Sequence, residues 1–151
     1  MSKRLIGGVL IVTLAGCVSV PPASRDAEAR SRQYSAPPGK AALYVYRTSG
    51  RTSDREVLVD GHAVGDLVGG MFLYVELDPG RHEVAATGAM NNASLVIQLA
   101  AGQVDYVRLN TPDNHWGVYI SHSKLILMPE ATGRQVVAHS RMAASKPVPA
   151  R

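Results

Sequence analysis

Two turn motifs separated by short apolar segments, in residues 56–87, constrain the fold of this chain more than any other feature. Asp60 and Gly61 fit the two central positions of a hairpin turn, where both residues need a positive φ that Gly adopts freely and Asp tolerates. Pro79 and Gly80 fit a type II turn, because the proline presets one φ and the glycine allows the positive φ that follows. Apolar and polar residues alternate between these turns, so the stretch predicts β-strands.

The same alternation continues on both sides of this stretch. The predicted strands cover residues 41–47, 57–59, 63–68, 72–77, 81–87, 94–99, 103–110, 117–121 and 124–128. Many short strands without helical patterns between them predict an all-β fold, an antiparallel β-sandwich of roughly seven to nine strands. Pro129 ends the sheet, and residues 130–142 are compatible with a short C-terminal helix, although Gly133 weakens that prediction.

The N-terminal residues 1–16 have the pattern of an export signal, with two basic residues followed by an apolar run over residues 5–14 that is too short to span a bilayer. The run ends in Leu-Ala-Gly-Cys, which resembles the bacterial lipobox, in which the signal is cut before the cysteine and the cysteine is acylated. We therefore expect a lipid on Cys17. The alternative is an ordinary signal whose small residues happen to precede a cysteine.

The cysteine count agrees with lipidation. Cys17 is the only cysteine, so no intramolecular disulfide can form, and acylation would remove a thiol that is otherwise free. Three acyl chains meet the requirement of more than one chain for stable anchoring. Val18 stands where an Asp signals inner-membrane retention in Gram-negative lipoproteins, so the resemblance implies an outer-membrane protein that faces the periplasm.

The remaining chain suits a single domain, since removing the sixteen-residue signal from 151 residues leaves 135. Residues 17–39 are proline-rich and predict the acylated cysteine followed by a flexible tether, with at most a short polar helix. Fully extended, at about 3 Å per residue, this tether would reach some tens of ångströms. Residues 40–142 form the predicted sandwich domain, and residues 143–151 a flexible tail.

The charge distribution is modestly basic. The formal charge falls from +4 to +2 without the signal, which is too little for a nucleic-acid-binding protein. The excess lies near the N-terminus, in Arg25, Arg30, Arg32, Lys40, Arg47, Arg51 and Arg55. These residues either contact anionic lipid or polysaccharide near the anchor, or belong to a solvated linker with scattered charge.

Parts of the domain resemble a known module. Residues 57–61, Val64-Gly65 and residues 77–82 resemble the PEGA domain, a small β-sandwich of bacterial surface proteins. Over residues 38–140 the layout is similar to an uncharacterised family of small bacterial lipoproteins with a PEGA-like domain, although the strands after Leu99 exceed the minimal PEGA pattern. The resemblance implies a surface-associated sandwich and assigns no reaction.

Residues typical of catalysis or metal binding are sparse. The five histidines are His62, His82, His115, His122 and His139. None has a His-x-x-x-His spacing, and we expect His62 and His82 to be exposed polar positions. There is no Gly-x-Ser-x-Gly elbow and no phosphate-binding loop. The sequence therefore predicts a non-enzymatic protein without a metal or cofactor.

A binding surface is the better candidate. If the aliphatic residues of strands 41–47 and 72–77 fill the core, four aromatic residues share the opposite face, namely Tyr44, Tyr46, Phe72 and Tyr74. Such a patch suits a glycan or a protein, unless the tether, the C-terminal helix or another sheet covers it. His115 and Trp116, in a loop over residues 111–117, form a second candidate, in which the tryptophan is an exposed anchor or folds over the sheet end.

Three functions remain as hypotheses. The leading one is a lipid-anchored, non-enzymatic envelope protein that binds another envelope component, a protein or a glycan, through the aromatic face or the 111–117 loop. The second is a periplasmic small-ligand or metal-binding module that uses His115, His122 and Trp116. The third is a hydrolase. None of them involves nucleic acid.

Overall fold

Short strands make up about half of the part of the chain that the computed structural model describes, which is residues 20–49, 54–87, 92–111 and 123–150. The strands are β1 (Ala41–Arg47), β2 (Arg55–Val59), β3 (His62–Leu67), β4 (Met71–Leu77), β5 (Gly80–Thr87), β6 (Ala93–Leu99), β7 (Val104–Asn110), β8 (Lys124–Met128) and β9 (Arg141–Met142). The helices are α1 (Arg25–Ser31) and α2 (Glu130–Ala138). The predicted strand at 117–121 lies outside the described residues.

The strands form two packed sheets, so the predicted β-sandwich with a short C-terminal helix is confirmed. One sheet has the order β8-β7-β1-β4-β9 and the other β3-β2-β5-β6. Most pairs are antiparallel as predicted, but β1 pairs with β7, and β4 with β9, in parallel. Each parallel pair is joined by a long excursion of the chain, which parallel pairing requires and which local alternation does not reveal.

β1 is the central strand and is buried on both faces. Leu43 and Val45 face the gap between the two sheets, whereas Tyr44 and Tyr46 face the helices. The five-stranded sheet therefore separates two hydrophobic clusters: an aliphatic inner cluster between the sheets and an aromatic outer cluster beneath the helices. A strand that is buried on both faces needs apolar side chains on both of them, and every residue of β1 from Ala41 to Tyr46 is apolar or aromatic.

The two predicted turns have different roles. Asp60 and Gly61 both have a positive φ, of 51° and 79°, and join β2 to β3 as a hairpin, as predicted. Gly80 also has a positive φ, but the turn at Pro79 carries the chain from β4 in one sheet to β5 in the other. This second turn is therefore a crossover between the layers of the sandwich.

The predicted flexible tether is largely docked on the sandwich. Residues 20–23, the entry segment, lie beside β9, where Pro22 bridges Ala143 and the Ala23 amide donates to the Met142 carbonyl at 2.9 Å. α1 follows, with the Ser24 hydroxyl accepting from the Ala27 amide as an N-cap. The prediction of a flexible tether is wrong because a few small apolar residues and one tyrosine are packed against the aromatic cluster. These residues do not recur at a regular spacing, so the sequence shows no amphipathic pattern there.

The predicted flexible tail also follows the sandwich. The Ala144 amide donates to Pro21 and the Lys146 amide donates to Val64 of β3, each at 2.8–2.9 Å. Val148 packs against the inner cluster. Residues 143–148 therefore close the gap between β9 and β3 along one edge of the sandwich.

Candidate functional site

Three of the four aromatic residues predicted to share a surface are buried. Tyr44, Tyr46 and Phe72 are 0%, 1% and 0% exposed, which corrects their assignment as binding residues. The alternative, a covered face, is the one observed. α2 and the chain over residues 23–36 pack on these rings, so they form the outer cluster of the fold.

The outer cluster is built around Tyr44. Its ring stacks on Tyr106 at a centroid distance of 4.9 Å and lies 5.1 Å from Tyr74, and its hydroxyl donates to the Ser31 carbonyl at 2.5 Å. Burial raises the pKa of Tyr44 well above its usual value, and burial followed by the charge of Glu130 raises the pKa of Tyr106 to about 12. The buried phenols therefore stay neutral and serve packing.

Tyr74 differs from the other three because it is only partly buried and lines a surface groove of about 320 Å³. One wall of this Tyr74 groove is formed by Tyr74 and Glu76 of β4, and the other by Arg30, Gln33 and residues 35–38. Strand alternation puts the two β4 side chains on the same face. The docked N-terminal segment supplies the second wall, so the groove exists only because that segment folds back.

The groove combines an aromatic ring with polar groups. The Tyr74 hydroxyl donates to the Ser35 carbonyl at 3.3 Å. Burial, reinforced by Glu76, raises the pKa of Tyr74 to about 12, so the phenol is a neutral donor at physiological pH. A partly exposed ring flanked by a guanidinium, an amide and a carboxylate can stack on one face of a ligand and hydrogen-bond its edges.

His82 is buried, and the prediction that it is an exposed polar position is wrong. Its side chain is 4% exposed. Its Nδ1 lies 2.7 Å from Asp60 Oδ2, and its Nε2 lies 2.7 Å from the Asp78 carbonyl. The alternation of β5 could have predicted this burial. His82 lies two residues before Val84 and four before Ala86, so it is on the same face of the strand as these two core residues. His62 is exposed, as predicted.

The contacts of His82 favour a structural role. The Asp78 carbonyl can only accept, so Nε2 donates to it, and Nδ1 lies within hydrogen-bond distance of the Asp60 carboxylate. Asp60 also accepts the Glu83 amide at 3.0 Å, and Lys40 pairs with Asp78 at 2.6 Å. Because both ring nitrogens are engaged, the imidazole holds the hairpin turn to β5 and has no nitrogen left for a metal or a substrate proton.

A second groove, of about 400 Å³, opens beside this cluster and is lined by Asp60, Arg81, His82, Glu83 and Val96. It is open and mainly charged. Within the described ranges, no group of three or more histidine, cysteine or acidic side chains is placed to hold a metal ion. His115, Trp116 and His122, and the lipidation residue Cys17, lie outside the described residues.

Comparison with known proteins identifies a family. The family model described as "Protein of unknown function (DUF2846)" matches residues 37–121, which is more than half of the chain. A comparison with curated proteins finds no match. Among the residues that the structure describes, no helix has the length and apolar character needed to cross a membrane.

Proposed function

This chain belongs to the DUF2846 family of proteins of unknown function, and from that premise we propose that it is a lipid-anchored, non-enzymatic binding protein of the bacterial envelope. The export signal and the lipobox-like Leu-Ala-Gly-Cys support the anchor at Cys17 and an outer-membrane location facing the periplasm. The PEGA-like turn motifs support a surface-associated sandwich. The partner we propose is an envelope glycan, bound in the Tyr74 groove.

The partial exposure of Tyr74 carries this proposal. Among the four aromatic residues, it is the one whose ring reaches the surface, and it does so within a groove of ligand size. Arg30, Gln33 and Glu76 surround it with donors and acceptors suited to sugar hydroxyl and acetamido groups. An aromatic ring suits the apolar face of a pyranose.

Replacing Tyr74 tests the groove. We expect Tyr74→Ala to weaken binding of an N-acetylglucosamine oligomer about 3- to 10-fold, because an aromatic contact contributes roughly 0.5–1.5 kcal/mol beyond its buried area. Isothermal titration calorimetry gives the Kd. Tyr74→Phe keeps the ring and should retain most of the affinity, and Leu127→Ala, on β8, should leave it unchanged. Equal affinity of Tyr74→Ala and wild type would assign binding to another surface, and a wild type that does not bind would refute the glycan partner.

Metabolic labelling with palmitate tests the anchor. We expect the wild type to be labelled and to fractionate with the outer membrane, and Cys17→Ala to be unlabelled, since Cys17 is the only cysteine that could be acylated. Separation of inner and outer membranes on a density gradient reports the location. An unlabelled wild type in the soluble fraction would contradict the anchor.

A further inference from the structure

The part of the chain that the structure describes starts three residues after the proposed lipidation site. Val20 already packs against the inner cluster, and the entry segment is hydrogen-bonded to β9 and to the tail. Three peptide steps separate Cys17 from Val20. Fully extended, they reach at most about 11 Å. The tether of some tens of ångströms expected from the proline-rich sequence is therefore not available, because most of it is part of the fold.

The entry segment also defines which side of the sandwich lies nearest the lipid. It extends the five-stranded sheet beyond β9, and the tail connects it to β3, the edge strand of the other sheet. We call this side the anchored edge. β8 forms the opposite edge of the five-stranded sheet. Across the sheet the order is entry segment, β9, β4, β1, β7 and β8, so five strand spacings separate the entry segment from β8. At about 4.8 Å each, they place β8 roughly 24 Å from the entry segment.

We infer that the protein, once acylated as proposed above, rests with its anchored edge directly on the phospholipid headgroups and holds β8 away from the membrane. The headgroup region of one leaflet is about 5–8 Å thick, so a reach of about 11 Å leaves little space between bilayer and domain. The partner of this edge is therefore the membrane surface itself.

The charges near the entry segment are compatible with this contact and do not carry it. Arg25 lies two residues after the entry segment, and Lys146 belongs to the tail that is hydrogen-bonded along the same edge. Both side chains are exposed, and each would be attracted to anionic headgroups. Asp26 lies next to Arg25 and offsets part of that attraction. Two other basic residues of the N-terminal part of the chain point into the fold, since Arg32 donates to a carbonyl of α2 and Arg47 is 2% exposed. Covalent reach is the stronger argument.

A pair of site-specific labels tests the orientation. Cys17 is the only cysteine and its thiol would be acylated, so one introduced cysteine is the only free thiol. Lys146→Cys lies on the anchored edge and Lys124→Cys on β8, and both replace exposed lysines. The full-length acylated protein, labelled with an environment-sensitive fluorophore, is incorporated into phosphatidylethanolamine–phosphatidylglycerol vesicles that contain a headgroup-attached quencher. We expect quenching at position 146 to exceed that at position 124 at least about twofold, given their separation.

Insertion of a ten-residue Gly-Ser linker between Ser19 and Val20 is the matched control. It adds roughly 17 Å of mean reach, so quenching at position 146 should fall towards the value at position 124 while flotation with the vesicles is unchanged. Equal quenching at the two positions without the linker, or no effect of the linker, would overturn the orientation. Failure of the unlabelled wild type to float with vesicles would instead refute the lipid anchor of the proposed function.

Discussion

Gly133 weakens the prediction of a C-terminal helix from the sequence, and yet the fold requires a glycine at this position. It lies inside α2, where glycine lowers helix propensity, and it is buried. A Cβ atom at this position would lie 2.7 Å from Cδ1 of Tyr106 and closer still to its Cβ and Cγ. The missing side chain therefore allows the helix backbone to approach β7 directly and to cover the aromatic cluster.

Gly133→Ala is expected to destabilise the protein by about 2 kcal/mol. Higher helix propensity returns at most about 1 kcal/mol, whereas overpacking against a ring that is itself fixed in the core costs about 1–3 kcal/mol, and this overlap involves the base of the side chain. Urea unfolding gives the free energy. Thr132→Ala, at the exposed neighbouring position, is the control and should change stability by less than about 0.5 kcal/mol. A Gly133→Ala variant as stable as wild type would disprove the close approach.

At the scale of elements, the N-terminal segment and α2 hold each other in place. Arg32 donates to the carbonyls of Val137 and Ser140, both at 2.6 Å, near the end of α2 where backbone acceptors lack helical partners. In the opposite direction, Arg134 of α2 lies over the ring of Tyr34 at 4.6 Å. This reciprocal contact keeps the segment against the sheet and thereby forms the second wall of the Tyr74 groove.

Arg32→Ala should loosen this segment before it unfolds the sandwich. The variant loses two charge-assisted hydrogen bonds and the contact of Arg32 with the Phe72 ring at 5.1 Å, so we expect a loss of about 2–4 kcal/mol in the stability of the docked segment. Hydrogen exchange of the Ala23 amide, which is bonded to β9, measures docking directly and should accelerate.

Arg25→Ala is the control for this measurement, because Arg25 is exposed at the start of α1. In this variant the Ala23 amide should exchange at the same rate as in the wild type. Unchanged exchange at Ala23 in Arg32→Ala would show that the aromatic contacts alone hold the segment. Loss of exchange protection throughout β1 as well would show that docking and the sandwich fold are inseparable.

At the scale of the whole molecule, segments of the chain itself cover one face and one edge of the sandwich. The helices cover the outer face of the five-stranded sheet, and the entry segment and tail close the anchored edge. The Tyr74 groove opens on the covered face at β4, two strand spacings or roughly 10 Å from the entry segment. A ligand bound there would lie beside the membrane if the inferred orientation holds, so the label and binding experiments constrain each other.

The sequence alone determined β1 to β8, the Asp60-Gly61 hairpin and the sandwich class, because strand alternation and turn geometry are local properties that a few neighbouring residues decide. It did not reveal the two-residue β9, which lies within the stretch predicted as the C-terminal helix. It also led to the prediction of lipidation at Cys17, which the described residues do not test. Alternation showed that Tyr44 and Tyr74 share a face, but only the tertiary structure decided that one is buried and the other reaches a groove. Likewise, the parallel pairs, the docked N-terminal segment and the buried His82–Asp60 contact depend on residues distant in the chain. Which surface packs on which is set by those long-range contacts, and a period of two residues carries no information about them.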